Sequence, residues 1–142
     1  MMALAAAARI EARVPAFKQV GGYSDFLAAQ QAVRATPACF LLDIGEGAAG
    51  TIRTGRISHT ITHRFAAVVV VRQASARPGG KLDEAATLRD ACRDALVGWK
   101  PEGASRAVLY RGYQLMQIDA GLAAYKLNFD TETRHQTEGI VP

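Results

Sequence analysis

Residues 61–101 read ITHRFAAVVVVRQASARPGGKLDEAATLRDACRDALVGWKP. The apolar run Phe65–Val71 is typical of a strand that is buried on both faces. Residues with alternating polarity precede the run, so one unusually long strand is predicted over 57–73. After a Pro-Gly-Gly turn, apolar residues recur at spacings of three and four, which predicts an amphipathic helix over 82–99.

The flanking segments predict a small α+β domain. Two helices are expected over 3–13 and 25–34, separated by an extended link and followed by a buried strand over 38–44. Further strands are expected at the C-terminal end, over 107–111, 114–119 and 122–133. This order favours a mostly antiparallel sheet of about four to five strands with the helices packed on one face.

Two segments are predicted to be irregular. Residues 45–50 include three glycines, so a flexible loop is expected over about 45–56. The polar end of the chain, about 135–142, is expected to be loose. The 142 residues are otherwise expected to form a single domain, 1–142, whose core needs neither a disulfide nor a metal.

The net charge of +4 is unevenly distributed along the chain. No Asp or Glu occurs between Gly47 and Leu82, a window that contains Arg53, Arg56, Arg64, Arg72, Arg77, Lys81, His59 and His63. Such a basic segment can face nucleic acid, an acidic protein or solvent. The bases are spread out and lack the interleaved aromatic residues of a single-strand binder. This favours a solvated or protein-facing surface, with a nucleic-acid-binding accessory protein that uses residues 47–82 as the alternative.

The pattern of reactive residues predicts no catalytic, cofactor-binding or metal site. His59 and His63 would lie roughly 13 Å apart on a strand and could not bind one metal ion together. Cys39 and Cys92 lie among apolar residues, as structural thiols do. An enzyme built on Cys39 and a nearby histidine is a further alternative, although an apolar setting disfavours the thiolate.

Three other classes of feature are not predicted. The glycine-rich segment 45–50 precedes a strand, so it lacks the helix N-terminus of a dinucleotide site. The alanine-rich N-terminus has neither the basic leader nor the cleavage site of a signal peptide. No apolar run approaches the length of a membrane span, so no membrane partner is expected.

Several short stretches carry a resemblance to a known family through their order and spacing. Ala35-Thr36-Pro37 and Gly98-Trp99-Lys100-Pro101 are the most distinctive. The others are Ala8-Arg9-Ile10, Val20-Gly21-Gly22, Leu42-Asp43-Ile44-Gly45-Glu46, Thr62-His63-Arg64-Phe65, Asp83-Glu84, Leu88-Arg89, Tyr110-Arg111-Gly112 and Phe129-Asp130-Thr131-Glu132. Over nearly its whole length the chain resembles the phage tail terminator proteins of long-tailed bacteriophages.

The resemblance implies a structural protein of the virion tail, assembled in the host cytoplasm, and no enzymatic activity. It implies a hexameric ring that caps the last ring of tail tube protein, stops tube growth, and offers a surface to the head–tail connector or neck protein. In contractile tails the sheath protein would be a further partner. No cofactor is implied, and nucleic acid would be met only as DNA that passes through the lumen of the ring.

The first half of the long strand is expected to project from the domain and to need a partner. Residues 45–64 are therefore expected to contact neighbouring subunits or the tail tube. The residues proposed for this interface are Arg53, Arg56, His59, His63 and Arg64.

Overall fold

A computed structural model describes residues 2–31, 35–53, 55–72, 81–118 and 122–138. Its helices are α1 (Met2–Arg13), α2 (Tyr23–Gln31) and α3 (Lys81–Leu96), and its strands are β1 (Gln19–Gly21), β2 (Ala38–Arg53), β3 (Arg56–Arg72), β4 (Leu109–Ile118) and β5 (Leu122–Glu138). The strands form one sheet in the order β1-β2-β3-β5-β4. Because β1 is parallel to β2 and the other pairs are antiparallel, the expected α+β domain with a mostly antiparallel sheet is confirmed.

The main core lies between the sheet and the helices α1 and α3. Every residue from Phe65 to Val71 is buried, as the apolar run predicted. The odd-numbered residues of this run pack with Ile10 of α1 and Leu88 of α3. Phe65 also stacks on Phe129 of β5, with 5.5 Å between the ring centroids.

A smaller cluster covers the other face of the sheet. There Phe26 of α2 packs with Phe40, Val68 and Val70. The prediction that the helices pack on one face of the sheet therefore holds for α1 and α3, whereas Phe26 of α2 packs against the opposite face. Gly22 precedes α2, and its backbone N–H donates a 3.0 Å hydrogen bond to the Asp25 carboxylate, which caps the helix.

The loop predicted over about 45–56 is wrong for residues 45–53, which continue β2. A bulge between Asp43 and Gly45 shifts the register, after which β2 stays paired with β3 up to Arg53. The expected mobility of this segment in an isolated subunit stays a prediction.

Three other predicted boundaries change. Gly112, at a φ of 104°, lies at a bulge within β4, so two predicted strands are one. β5 continues through Glu138, so residues 135–138 form strand rather than a loose tail, and 139–142 lie outside the described residues. The predicted C-terminal ends of the helix over 25–34 and of the strands over 57–73 and 114–119 also lie outside the described residues. Helix α3 ends at Leu96, two residues before Gly98 takes a φ of 81°.

Candidate interaction surface

A three-stranded extension of the sheet contains all of the residues proposed for the interface. It consists of residues 45–53 of β2, 56–64 of β3 and 131–138 of β5, and is called the arm below. At about 3.3 Å per residue, its central strand is about 30 Å long. Gly55, in the turn at the tip, has a φ of 75°, which glycine adopts readily. Among the described residues, none of the arm belongs to either hydrophobic cluster.

Both long edges of the arm lack a partner strand within the described part of the chain. β1 pairs with β2 only at Ala38–Phe40, and β4 pairs with β5 only between Leu122 and Asp130. β3 is paired on both sides along its whole length, so the expectation that β3 itself lacks a partner is wrong. The open edges belong to β2 and β5, and such edges present backbone N–H and C=O groups to other chains.

One face of the arm continues the face that α1 and α3 cover. It carries His59, Ile61 and His63 of β3, and His135 of β5 lies directly opposite His59. Nε2 of His63 shares a 2.8 Å hydrogen bond with Oγ1 of Thr133, and its Nδ1 lies 3.6 Å from the Glu46 carboxylate. These contacts fix the imidazole of His63 between the two flanking strands.

The opposite face has an arginine–carboxylate cluster where the arm meets the body. Arg106 and Arg111 each donate a 2.6 Å hydrogen bond to the carboxylate of Asp130, whose side chain is only 8% exposed. Burial by itself would raise the pKa of the Asp130 carboxyl, but the hydrogen bonds from Arg111 and Arg106 outweigh it and lower that pKa. Arg106, Arg111 and Asp130 line a groove of about 560 Å³, and Arg64 lines it as well. The cluster ties β4 to β5 at the base of the arm.

The five proposed interface residues do not converge on one pocket. Arg56 and Arg53 pair beside the turn at the tip, and Arg56 is exposed. His59 and His63 belong to the face that α1 and α3 cover in the body, whereas Arg56 and Arg64 belong to the opposite face. The arrangement therefore offers an extended surface with histidines on one face and arginines on the other, rather than a binding site for one small molecule.

The third strand of the arm extends beyond the strand that the sequence predicted. The strand predicted over 122–133 ends five residues too early, although the alternation of threonine and histidine on one face continues through Thr137. That alternation was the signal for a longer strand. It adds Arg134 and His135 to the arm.

The structure does not bring Cys39 near His59 or His63. Cys39 pairs with Val69 in the body of the sheet, whereas the two histidines pair with residues of the arm. A hydrogen bond with Cys92, together with burial, raises the pKa of the Cys39 thiol well above its ordinary value. A protonated thiol without a neighbouring histidine is not an activated nucleophile.

Among the residues that the structure describes, no cluster of three or more His, Cys, Asp or Glu side chains has a geometry that could hold a metal ion. None of the helices found there combines the length and the apolar character needed to cross a membrane.

Comparison with known proteins gives one family match. A family model described as phage tail terminator protein matches residues 2–138, nearly the whole chain. No individual curated protein sequence matches the chain.

Proposed function

The chain belongs to the phage tail terminator protein family, and on this premise we propose that it closes the end of the tail tube as a hexameric ring. The family consists of structural virion proteins and is not known for enzymatic activity, so the role of this chain lies in tail assembly. In the proposal, the ring binds the last ring of tail tube protein at the junction of tail and neck. Its opposite side receives the head–tail connector or neck protein.

The observation that carries the proposal is the arm with its two open strand edges. Exposed edges of this length favour association with another chain, and soluble monomers usually protect them. In a closed ring every copy has the same neighbours, so each arm can be covered in the same way. Addition of tube protein would stop because the ring takes the place of the next layer of tube subunits.

The proposed partners follow from this position. They are further copies of this chain, the tail tube protein and the head–tail connector or neck protein, with the sheath protein added in a contractile tail. DNA would pass through the lumen of the ring. Assembly would take place in the host cytoplasm, and the finished protein would stay in the virion tail.

The basic residues of the arm provide the test. In the variant Arg53→Glu/Arg56→Glu, two positive charges at the tip become negative. We expect purified tail tube protein to polymerise past the variant, giving tubes of uncontrolled length in electron micrographs. The midpoint of thermal unfolding should equal that of the unmodified protein, because Arg56 is exposed and belongs to neither core cluster.

A matched control is Arg13→Glu/Lys100→Glu, which changes the net charge equally at exposed positions away from the arm. The control should still stop tube growth. If the Arg53→Glu/Arg56→Glu variant stops it equally well, the assignment of the arm is wrong. If the unmodified protein neither binds tubes nor limits their length, the ring proposal itself is wrong.

The nucleic-acid-binding alternative predicts a different property, which is measured by DNA binding at increasing salt. A protein that binds DNA through Arg56 and Arg64 would lose affinity steeply as salt is raised. These two arginines share one face of β3 but are eight residues, about 26 Å, apart along the strand, and the residues between them on that face are Ser58, Thr60 and Thr62, so β3 offers no continuous basic stripe to a phosphate backbone. Salt-dependent DNA binding by a protein that ignores tail tubes would favour this alternative.

A further inference from the structure

A groove on the body of the domain has a chemistry that complements the tip of the arm. The groove, of about 650 Å³, opens between α1, β1, α2 and β2. Its apolar lining includes Leu4, which is 72% exposed, and Tyr23, which is 62% exposed. Large apolar residues at this exposure mark a surface that is suited to a protein partner.

The other notable feature of the groove is its acidic lining. Glu11, Asp25 and Asp43 line it, and among the described residues no Lys, Arg or His does. Asp43 accepts a hydrogen bond from the backbone N–H of Ala3, and Asp25 accepts one from Gly22. Glu11 is exposed. The groove therefore presents apolar side chains beside three carboxylates, without a basic residue among its described lining.

The tip of the arm has the opposite charge and the same apolar character. Ile52, which is 81% exposed, pairs with Ile57 next to the turn. Arg53 and Arg56 form the adjacent pair, and Arg134 lies further along the arm on β5. The isoleucine pair lies on one face of the tip and the arginine pair on the other, so an inserted tip would present both an apolar and a basic face to a groove that is lined by apolar residues and carboxylates.

The arm cannot reach the groove of its own chain. Asp43 lines the groove and Ile52 lies near the tip, and both belong to the single strand β2. Their separation of nine residues corresponds to about 30 Å along an extended strand. A second copy of the chain is therefore the occupant that the groove and the arm together specify.

We propose that the tip of the arm of one copy binds in the groove of the next copy. This inference rests on the proposed ring and names the surfaces that would build it. Arm and groove are different surfaces, so the contact runs head to tail, and repeating it around an axis closes a ring. The acidic residues of the groove would pair with the arginines of the neighbouring tip, and Leu4 and Tyr23 would cover its isoleucines.

Cysteine cross-linking between separately prepared variants tests this contact. Leu4→Cys places a thiol in the groove and Ile52→Cys places one at the tip, both at exposed positions. The native Cys39 and Cys92 are buried and should not react in the folded protein. With a short bismaleimide, we expect cross-linked dimers when the two variants are mixed and none with either variant alone. The chain that carries both substitutions should give a ladder of covalent oligomers.

A matched control uses Leu115→Cys on β4, which is 65% exposed and lies outside the groove. It should not cross-link to Ile52→Cys. Equal cross-linking of Ile52→Cys to position 115, or no cross-link to position 4 both in free protein and on tail tubes, would overturn the inference. Cross-linking of Ile52→Cys to tail tube protein instead of to position 4 would overturn it in favour of the tube as occupant.

A parallel assay of tube length separates this inference from the proposed function. Cross-links between positions 4 and 52 in a protein that never limits tube growth would support the contact and contradict the role in capping. Normal capping by an oligomer that lacks these cross-links would contradict the contact and leave the proposed function standing.

Discussion

The imidazole of His59 on β3 lies across Gly50, its register partner on β2. A Cβ atom at position 50 would lie 2.8 Å from Cδ2 and 2.9 Å from Nε2 of that ring. On the other face of the arm, a Cβ atom at Gly47 would lie 3.2 Å from a guanidinium nitrogen of Arg64. The glycines of β2 thus make room for side chains of β3 on both faces of the arm.

The contact between Gly50 and His59 gives a first prediction. Gly50→Ala should leave the arm about 1 kcal/mol less stable than an unobstructed glycine-to-alanine change in the same strand, the order of cost of forcing a side chain from its preferred rotamer. The reason is that the imidazole of His59 must rotate away from the new methyl group. The free energy of opening the arm, measured from amide hydrogen exchange of residues 57–61, should differ by this amount between Gly50→Ala and Gly45→Ala.

Gly45→Ala is the matched control, because nothing lies within 4 Å of a Cβ atom at that position. In a strand interior alanine is favoured over glycine by about 0.5–1 kcal/mol, so this variant should be as stable as the unmodified protein or more stable. Adding His59→Ala to Gly50→Ala should remove the loss. A Gly50→Ala variant that behaves like Gly45→Ala would show that the ring imposes no steric limit.

These glycines also explain which part of the fold the sequence predicts. The buried half of β3 and helix α3 follow from apolar residues at local spacings, which the chain displays directly. The cluster Gly45, Gly47 and Gly50 has the local propensity of a loop. It forms a strand because of cross-strand neighbours that are distant in the sequence, and strand propensity depends strongly on such neighbours.

Of the two candidate surfaces, the arm could be proposed from the sequence and the groove between α1, α2 and β2 could not. Charge and alternation between residues 53 and 64 were sufficient to propose the basic side of the interface. The groove brings together Leu4, Tyr23 and Asp43, which belong to three different elements. No periodicity in the sequence connects these residues, because only the packing of α1 and α2 beside β2 makes them neighbours.

A second prediction concerns the buried carboxylate at the base of the arm. Asp130→Asn removes the carboxylate that Arg106 and Arg111 share, so the free energy of unfolding should fall by about 1–3 kcal/mol near neutral pH. The lower end is expected because Arg111 is 55% exposed and its charge stays partly solvated. Urea unfolding of the two proteins measures the difference.

The pH dependence of that difference has a defined sign. In the folded protein the pKa of Asp130 lies below its ordinary value of 3.8, so the ionised carboxylate stabilises the fold above this pH. The contribution is lost as pH falls from 3.8 through the folded pKa, and the difference between wild type and Asp130→Asn should shrink over this window. The control variant Glu132→Gln removes a 3.5 Å ion pair with Arg106 but keeps Asp130. Its free energy of unfolding should therefore still fall as Asp130 is protonated in acid. A difference that stays constant in acid would contradict the linkage.

A third prediction concerns the arm before and after assembly. Most residues of β2 between positions 45 and 52 are exposed, and neither open edge of the arm has a partner strand among the described residues. In the free subunit the backbone hydrogen bonds of the arm should therefore open locally, without global unfolding, and its amides should exchange rapidly. The amides of Val68–Val70, which lie in the fully buried part of β3, should exchange slowly.

Addition of tail tubes should slow exchange along the arm by at least tenfold, because docking covers its faces and edges, and should leave Val68–Val70 unchanged. The Arg53→Glu/Arg56→Glu variant is the control, since an arm that cannot dock should stay in rapid exchange when tubes are added. Mass spectrometry of peptides that cover residues 45–64 would measure both effects. An arm that is as protected in the free subunit as the core would mean that it is rigid before assembly and would contradict this prediction.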